Sequence, residues 1–182
     1  MGTDIHVKVA KYNSETNLYE ELQLFRKRKP GEKEYKIVEG VAIELPWTDY
    51  KEIYIDAGRN YEMMDGMKGG DEKDGYGYFP WTSISFASLE SSFAEKIKEK
   101  QSTAGYFDFY EITLADMYNY TYTHPTVVDY DSKEWKNENP PKKPNPIIDL
   151  LQIIEDFVSL ADNDNFYYTP YSYYKIIFYF DN

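Results

Sequence analysis

The chain has 182 residues, of which 42% are hydrophobic and 18% aromatic, and its formal net charge is −12. This length favours one domain over residues 1–182, and the charge disfavours a general affinity for nucleic acid or anionic lipid and favours a basic partner. The absence of cysteine excludes disulfides, thiolate zinc sites and cysteine nucleophiles. Because no apolar run reaches the length of a membrane span and no signal peptide is recognised, we expect a cytoplasmic protein without membrane contact.

The first third of the chain is predicted to be rich in strands. In "MGTDIHVKVAKY" polar and apolar residues alternate, so Asp4, His6 and Lys8 are expected on one face of a strand and the apolar residues in the core. After the polar turn "NSETN", "LYEELQLFRKR" predicts the second strand of a hairpin. "YKIVEGVAIEL" and "YKEIYIDA" predict one further strand each.

One basic run interrupts this acidic chain. It ends the second predicted strand, runs into Pro30-Gly31, and comprises Arg26, Lys27, Arg28 and Lys29. We interpret it as a solvated turn, with a small phosphate-contacting patch as the alternative. Nucleic acid is therefore at most a secondary partner.

The middle of the chain predicts two helices and a loop between them. "GRNYEMMDGMKGG" indicates a short helix that ends at Gly69-Gly70, and "DEKDGYGYFPW" indicates a mobile surface loop. This loop lacks the later acidic ligands of a calcium loop. "SFASLESSFAEKIKEKQS" predicts a helix whose apolar stripe, Phe86, Leu89, Phe93 and Ile97, faces the core.

The last part of the chain completes the predicted fold. "YFDFYEI" predicts a strand that leads directly into a helix capped by Thr113. Residues 129–146, with four prolines and almost no aliphatic residues, predict an exposed loop within the domain. A helix after Pro146 and an interior strand "YYKIIFYFDN" follow. The expected fold class is α+β, with a mainly antiparallel sheet and three to four helices packed on one face.

Four short pieces, "MGTDIHVKV", "GRNYEMM", "FDFYEITLADM" and "IIFYFDN", stand in this order along most of the chain. Together they resemble a family of small phage and mobile-element proteins that begins Met-Gly-Cys-Asp-Ile-His and ends Phe-Asp-Asn. The departures are Thr3 for Cys, Met63-Met64 for Leu-Phe, and "FDFYEI" for a His-Ser-Pro-Ser segment. The family has no assigned activity, so the resemblance implies a context, the bacterial cytosol of a host, rather than a mechanism. In length and composition the chain is also similar to type II-A anti-CRISPR proteins, which inhibit Cas9.

One group of polar residues is a candidate chemical site. If the first and last strands are neighbours, two carboxylates, an imidazole and a guanidinium converge there, from Asp4, His6, Arg59, Asn60 and Asp181-Asn182. Such a group suits an oxygen-rich divalent metal site or phosphodiester hydrolysis. The alternative is a structural network around His6 that fixes the sheet edge. His124, in "YTHPT", is interpreted as a turn residue.

A second hypothesis uses the acidic, tyrosine-rich segments as a binding surface. Cas9-type effectors hold nucleic acid in positively charged channels, which an acidic surface can occupy instead, and tyrosines add contact area at low entropic cost. The candidate partner-binding residues are Asp71, Glu72, Asp74, Tyr76, Tyr78, Asp129, Asp131, Glu134 and Glu138.

Three classes of function are therefore considered. The first is an anti-defence protein, an anti-CRISPR inhibitor of a Cas9-type effector, which is not an enzyme and needs no cofactor or metal. The second is a metal-dependent phosphodiesterase-like enzyme that uses Asp4, His6 and Asp181. The third is an accessory phage protein with neither role.

Overall fold

A computed structural model describes residues 3–69 and 72–181 of the chain. Within these ranges twelve strands occur in four sheets. The strands are β1 (Ile5–Asn13), β2 (Leu18–Glu21), β3 (Leu24–Lys27), β4 (Tyr35–Val38), β5 (Val41–Glu44), β6 (Tyr50–Ile53), β7 (Ile55–Asp56), β8 (Thr82–Ser83), β9 (Tyr106–Thr113), β10 (Thr126–Val128), β11 (Lys142–Pro144) and β12 (Tyr174–Asp181).

The main sheet has six strands in the order β2-β1-β12-β9-β8, with β7 also paired to β1, and every pairing within it is antiparallel. The terminal strand β12 lies at its centre, and all of its residues except Asp181 are buried. This position agrees with its nearly continuous apolar sequence, since a strand covered on both faces has no polar side. The predicted α+β class with a mainly antiparallel sheet is thus confirmed.

Residues 3–69 and 72–181 also form four α-helices, namely α1 (Tyr61–Gly69), α2 (Ser91–Ser102), α3 (Leu114–Thr123) and α4 (Ile147–Ala161). As predicted, Thr113 caps α3: its Oγ1 accepts a hydrogen bond from the Asp116 N–H at 3.1 Å. The prediction that the helices pack on one face of the sheet is wrong, because they lie on both faces. Ile176, Phe178 and Phe180 of β12 belong to the core cluster with α1, α3 and α4, whereas the alternate residues of β12 belong to a second cluster with α2. The alternation of side chains along β12 explains this division.

A two-stranded arm, residues 24–53, extends from the main sheet. β3 pairs with β6 at its base, and β4 pairs with β5 at its tip. "YKIVEGVAIEL" was expected to be one strand, but it folds back on itself at Glu39-Gly40, where both residues have positive φ (49° and 79°). These dihedrals are those of a two-residue type I′ turn.

The basic run at the base of the arm is only partly solvated. Lys27 and Lys29 are exposed, as expected, but Arg28 is 5% exposed and does not belong to a solvated turn. Its guanidinium lies 4.4 Å from the Trp47 ring centroid and donates a 2.9 Å hydrogen bond to the Glu32 carbonyl. The ring and the carbonyl together hold the Arg28 side chain inside the arm.

Residues 129–146 are exposed over most of their length, as predicted, but they are anchored at both ends. β10 pairs with β11, and the buried Asn145 accepts a 3.0 Å hydrogen bond from the Ile147 N–H at the start of α4. Over the two described ranges, no helix is long and apolar enough to cross a membrane.

Candidate functional site

The antiparallel pairing of β1 with β12 brings most of the predicted polar group together. His6 Nε2 lies 3.0 Å from Asp181 Oδ2, and the Asp4 N–H donates a 3.1 Å hydrogen bond to Asp181 Oδ1. Arg59, from the segment before α1, donates from Nε to Asp4 Oδ1 at 2.6 Å. Four of the predicted residues therefore form one network, and each carboxylate in it already has a cationic or N–H partner.

Asn60 has a separate role. Its Oδ1 accepts a 2.9 Å hydrogen bond from the Met63 N–H, which is one of the unpaired donors at the start of α1. Asn60 therefore caps the helix. Asn182, the last member of the predicted group, lies outside the described residues.

Aromatic rings hold the imidazole of His6 in place. The Tyr179 ring stacks on it with centroids 4.9 Å apart, and the Tyr106 ring meets it edge-on at 5.5 Å. Partial burial works to raise the pKa of Asp181, but contacts with His6, the Asp4 N–H and Arg59 outweigh this and bring that pKa below its ordinary value. The carboxylate of Asp181 is thus stabilised in its charged form.

A cleft of about 500 Å³ adjoins the imidazole. Its charged floor is Glu21, a side chain only 8% exposed, which lies 2.7 Å from Lys96 and 3.4 Å from Lys8. Tyr54 and Tyr106 form part of the aromatic wall. This cleft was not predicted from the sequence, because α2 and β2 are brought together only by the tertiary fold.

Among residues 3–69 and 72–181, no group of three or more histidine, aspartate or glutamate side chains is arranged to hold a metal ion.

His124 ends α3, and its ring stacks on Tyr120 with centroids 4.7 Å apart, in agreement with its interpretation as a turn residue.

The two predicted partner-binding segments meet in space. The Tyr130 hydroxyl donates a hydrogen bond to Asp74, which joins the loop after β10 to the short 3₁₀ turn Glu72–Asp74. Lys143 on β11 lies 3.3 Å from Asp131 and 3.9 Å from Asp129. We call this surface, made by Asp74, Tyr78 and residues 129–138, the acidic loop surface.

Exposure within the acidic loop surface is uneven. Tyr78 is 78% exposed and the Asp131 side chain 91%, and Glu134 and Glu138 are also exposed. Asp74 and Asp129 are half-buried.

Tyr76 does not belong to the acidic loop surface, contrary to the prediction, because it is 4% exposed and packs in the core. Burial raises the pKa of its hydroxyl far above the ordinary value, and the nearby Glu62 adds to this shift. The segment around Tyr76 is therefore an anchored turn rather than a wholly exposed loop. Asp71 and the side chain of Glu72 lie outside the described residues.

The chain was compared with known proteins in three ways. No protein-family model, no curated protein and no solved structure matches it.

Proposed function

We propose that this protein acts by binding, as a non-catalytic anti-defence protein that occupies the nucleic-acid channel of a Cas9-type effector. The observation that carries the proposal is the Tyr130–Asp74 hydrogen bond, which joins two segments 56 positions apart into the acidic loop surface. A partner with a basic channel then meets carboxylates from both segments at once.

The composition of this surface supports the proposal. Residues 129–138 contain four carboxylates and two lysines, and two aromatic side chains, Tyr130 and Trp135, are at least 40% exposed among them. The two rings meet edge-on with centroids 5.4 Å apart, which restrains both before any partner binds. Pre-ordered aromatic rings lower the entropic cost of binding, and the carboxylates provide attraction to a basic channel.

The test is binding and inhibition with a purified Cas9–guide RNA complex. The triple variant Asp131→Asn, Glu134→Gln, Glu138→Gln removes three charges with little change of shape. The control variant Glu15→Gln, Glu95→Gln, Glu99→Gln removes three exposed charges elsewhere. We expect the first variant to weaken binding by roughly tenfold or more and the control to leave it nearly unchanged. Binding should also weaken as salt is raised.

Two results would count against the proposal. If the wild-type protein neither binds the effector nor reduces DNA cleavage at low salt, this partner is wrong. If both variants weaken binding equally, net charge rather than the acidic loop surface is responsible.

The His6–Asp181 pair beside the 500 Å³ cleft favours one second candidate, a phosphodiesterase-like activity. In that case Asp4→Ala with His6→Ala abolishes hydrolysis of a phosphodiester substrate and leaves effector binding intact. The inhibitor proposal predicts no hydrolysis by the wild-type protein with any divalent metal, and unchanged inhibition by this double variant.

A further inference from the structure

The tip of the arm is an apolar hairpin that no element of the described chain covers. Every residue of β4 and β5 is exposed, including Ile37 at 70% and Val41 at 62%. No strand of the described chain pairs with the outer edge of either strand. A hairpin with apolar side chains and two free edges is a surface that monomeric proteins usually avoid.

This hairpin differs from the other exposed hydrophobic residues. Most of those are tyrosines, which carry a polar hydroxyl group. Of the six exposed isoleucine, leucine and valine side chains in the described ranges, four lie in the hairpin, namely Ile37, Val38, Val41 and Ile43. The apolar residues are therefore clustered, and a cluster of this kind marks an interaction surface.

The hairpin is a formed element rather than a disordered loop. The Leu45 N–H donates a 2.7 Å hydrogen bond to the Glu34 carbonyl, and Lys33 pairs with Glu44 at 3.0 Å, so the two strands remain closed at their base. The type I′ turn closes the other end. The arm thus presents its apolar side chains in a fixed arrangement, which lowers the entropic cost of docking.

The distribution of charge indicates what covers the hairpin. The arm carries seven basic and six acidic residues, a net charge of +1, so the rest of the chain carries −13. Two copies that met through their main sheets would bring these large negative charges together. A contact confined to the two arms keeps the negative regions apart and joins the part of the molecule that is nearly neutral and apolar.

We propose that the arm is a self-association surface, and that its occupant is the same hairpin of a second copy, related by a two-fold axis. Such a contact is self-complementary, because the same side chains meet from both copies. Antiparallel packing places the turn of one hairpin near the base of the other, which separates the two Glu39 carboxylates. Residues paired across the hairpin share a face, so Val38, Val41 and Ile43 lie on one face and Tyr35 and Ile37 on the other. The two copies therefore meet edge to edge, where the free strand edges pair and the side chains of both faces flank the contact. These five side chains together expose on the order of 500 Å² per copy.

The test is the mass of the purified full-length protein, measured by sedimentation equilibrium over a concentration series. We expect a monomer–dimer equilibrium. The variant Ile37→Thr, Val41→Thr keeps β-branched side chains but removes apolar contact, and it should raise the dimer dissociation constant about tenfold or more. The control Ile153→Gln, Leu160→Gln removes two exposed apolar side chains from α4 and should leave the constant unchanged.

Salt separates this proposal from the proposed function, on which it does not rest. Dimerisation through the arm should hold or strengthen as salt rises, because salt screens the repulsion between the negative regions, whereas binding to a basic effector weakens. A wild-type protein that is monomeric at every concentration and salt overturns the proposal. So does a dimer that survives Ile37→Thr, Val41→Thr while circular dichroism shows that variant to be folded.

Discussion

His6 Nε2 lies 3.0 Å from Asp181 Oδ2, so the second residue of the first strand meets the last residue of the final strand. We expect Asp181→Asn to lower the free energy of unfolding at neutral pH by less than about 1 kcal/mol, because solvent screens a partly exposed pair. The pKa of Asp181 is below its ordinary 3.8 in the folded protein, so its contribution is complete above 3.8 and is lost as pH falls through the folded value. Urea unfolding as a function of pH measures this contribution to the free energy of unfolding.

The control for Asp181→Asn is Asp65→Asn. Asp65 is exposed on α1, and its substitution changes the net charge by the same amount. The free energies of unfolding of the two variants should differ at neutral pH and become equal in acid. If the variants are equally stable at every pH, the pairing with His6 contributes nothing to the free energy of unfolding.

Gly66 allows α1 to lie against Tyr76. A Cβ on Gly66 would stand 2.3 Å from two carbon atoms of the Tyr76 ring, which is itself buried. Gly66→Ala should therefore destabilise the protein by about 1–3 kcal/mol through overpacking, despite the higher helix propensity of alanine. Urea unfolding at neutral pH provides the comparison.

Gly69→Ala is the matched control in the same helix, since nothing lies within 4 Å of a Cβ built at Gly69. We expect this variant to unfold with nearly the same free energy as the wild-type protein. Equal stability of the Gly66 and Gly69 variants would mean that Tyr76 moves aside at no cost.

Glu90 caps α2 by accepting hydrogen bonds from the N–H groups of Ser92 and Phe93, at 3.0 and 3.1 Å. Hydrogen bonds from the Ser92 hydroxyl and from these backbone groups lower the pKa of Glu90 to about 2. Glu90→Ala should lower the melting temperature by a few degrees at neutral pH. Because the pKa is lowered, this difference is complete above the ordinary value of 4.5 and disappears as pH falls towards 2.

Thermal unfolding monitored by circular dichroism measures the effect of Glu90→Ala, and Glu99→Ala in the last turn of α2 is its control. A pH-independent difference between the Glu90 variant and the wild-type protein would show that the charged carboxylate is not the source of the stabilisation.

Local patterns in the sequence predicted the fold class. They were correct for features that residues close together in the sequence determine. The alternation of Ile5, Val7 and Val9 identified the buried face of β1, and Thr113 identified the start of α3. The predicted polar group assumed that β1 and β12 are neighbours. The sequence did not predict this pairing, because it joins residues at opposite ends of the chain. No periodicity within either strand specifies that partner.

The failures have equally specific causes. The turn at Glu39-Gly40 was missed because it requires a positive φ at Glu39, which glutamate seldom adopts, and the apolar residues on both sides read as one strand. Tyr76 was predicted to be exposed because glycine and aspartate surround it. Its burial depends on Gly66 and Tyr120, which are distant in sequence.

Tyr120 holds the segment that carries Tyr76 in place. Its hydroxyl donates a 2.6 Å hydrogen bond to the Tyr76 carbonyl, and both side chains are 4% exposed. Tyr120→Phe leaves that buried carbonyl without its donor, so we expect a loss of about 1–3 kcal/mol in the free energy of unfolding. Amide hydrogen exchange should accelerate in residues 72–79 more than in α4, because the lost bond holds this segment in place. Asn145, which precedes α4 and also donates to the Tyr120 hydroxyl at 3.5 Å, keeps its 2.9 Å hydrogen bond to the His124 carbonyl. Tyr118→Phe, on the same helix but 47% exposed, should leave both measurements unchanged. Uniformly faster exchange throughout the Tyr120 variant would instead mean that the hydroxyl stabilises the whole core rather than this segment.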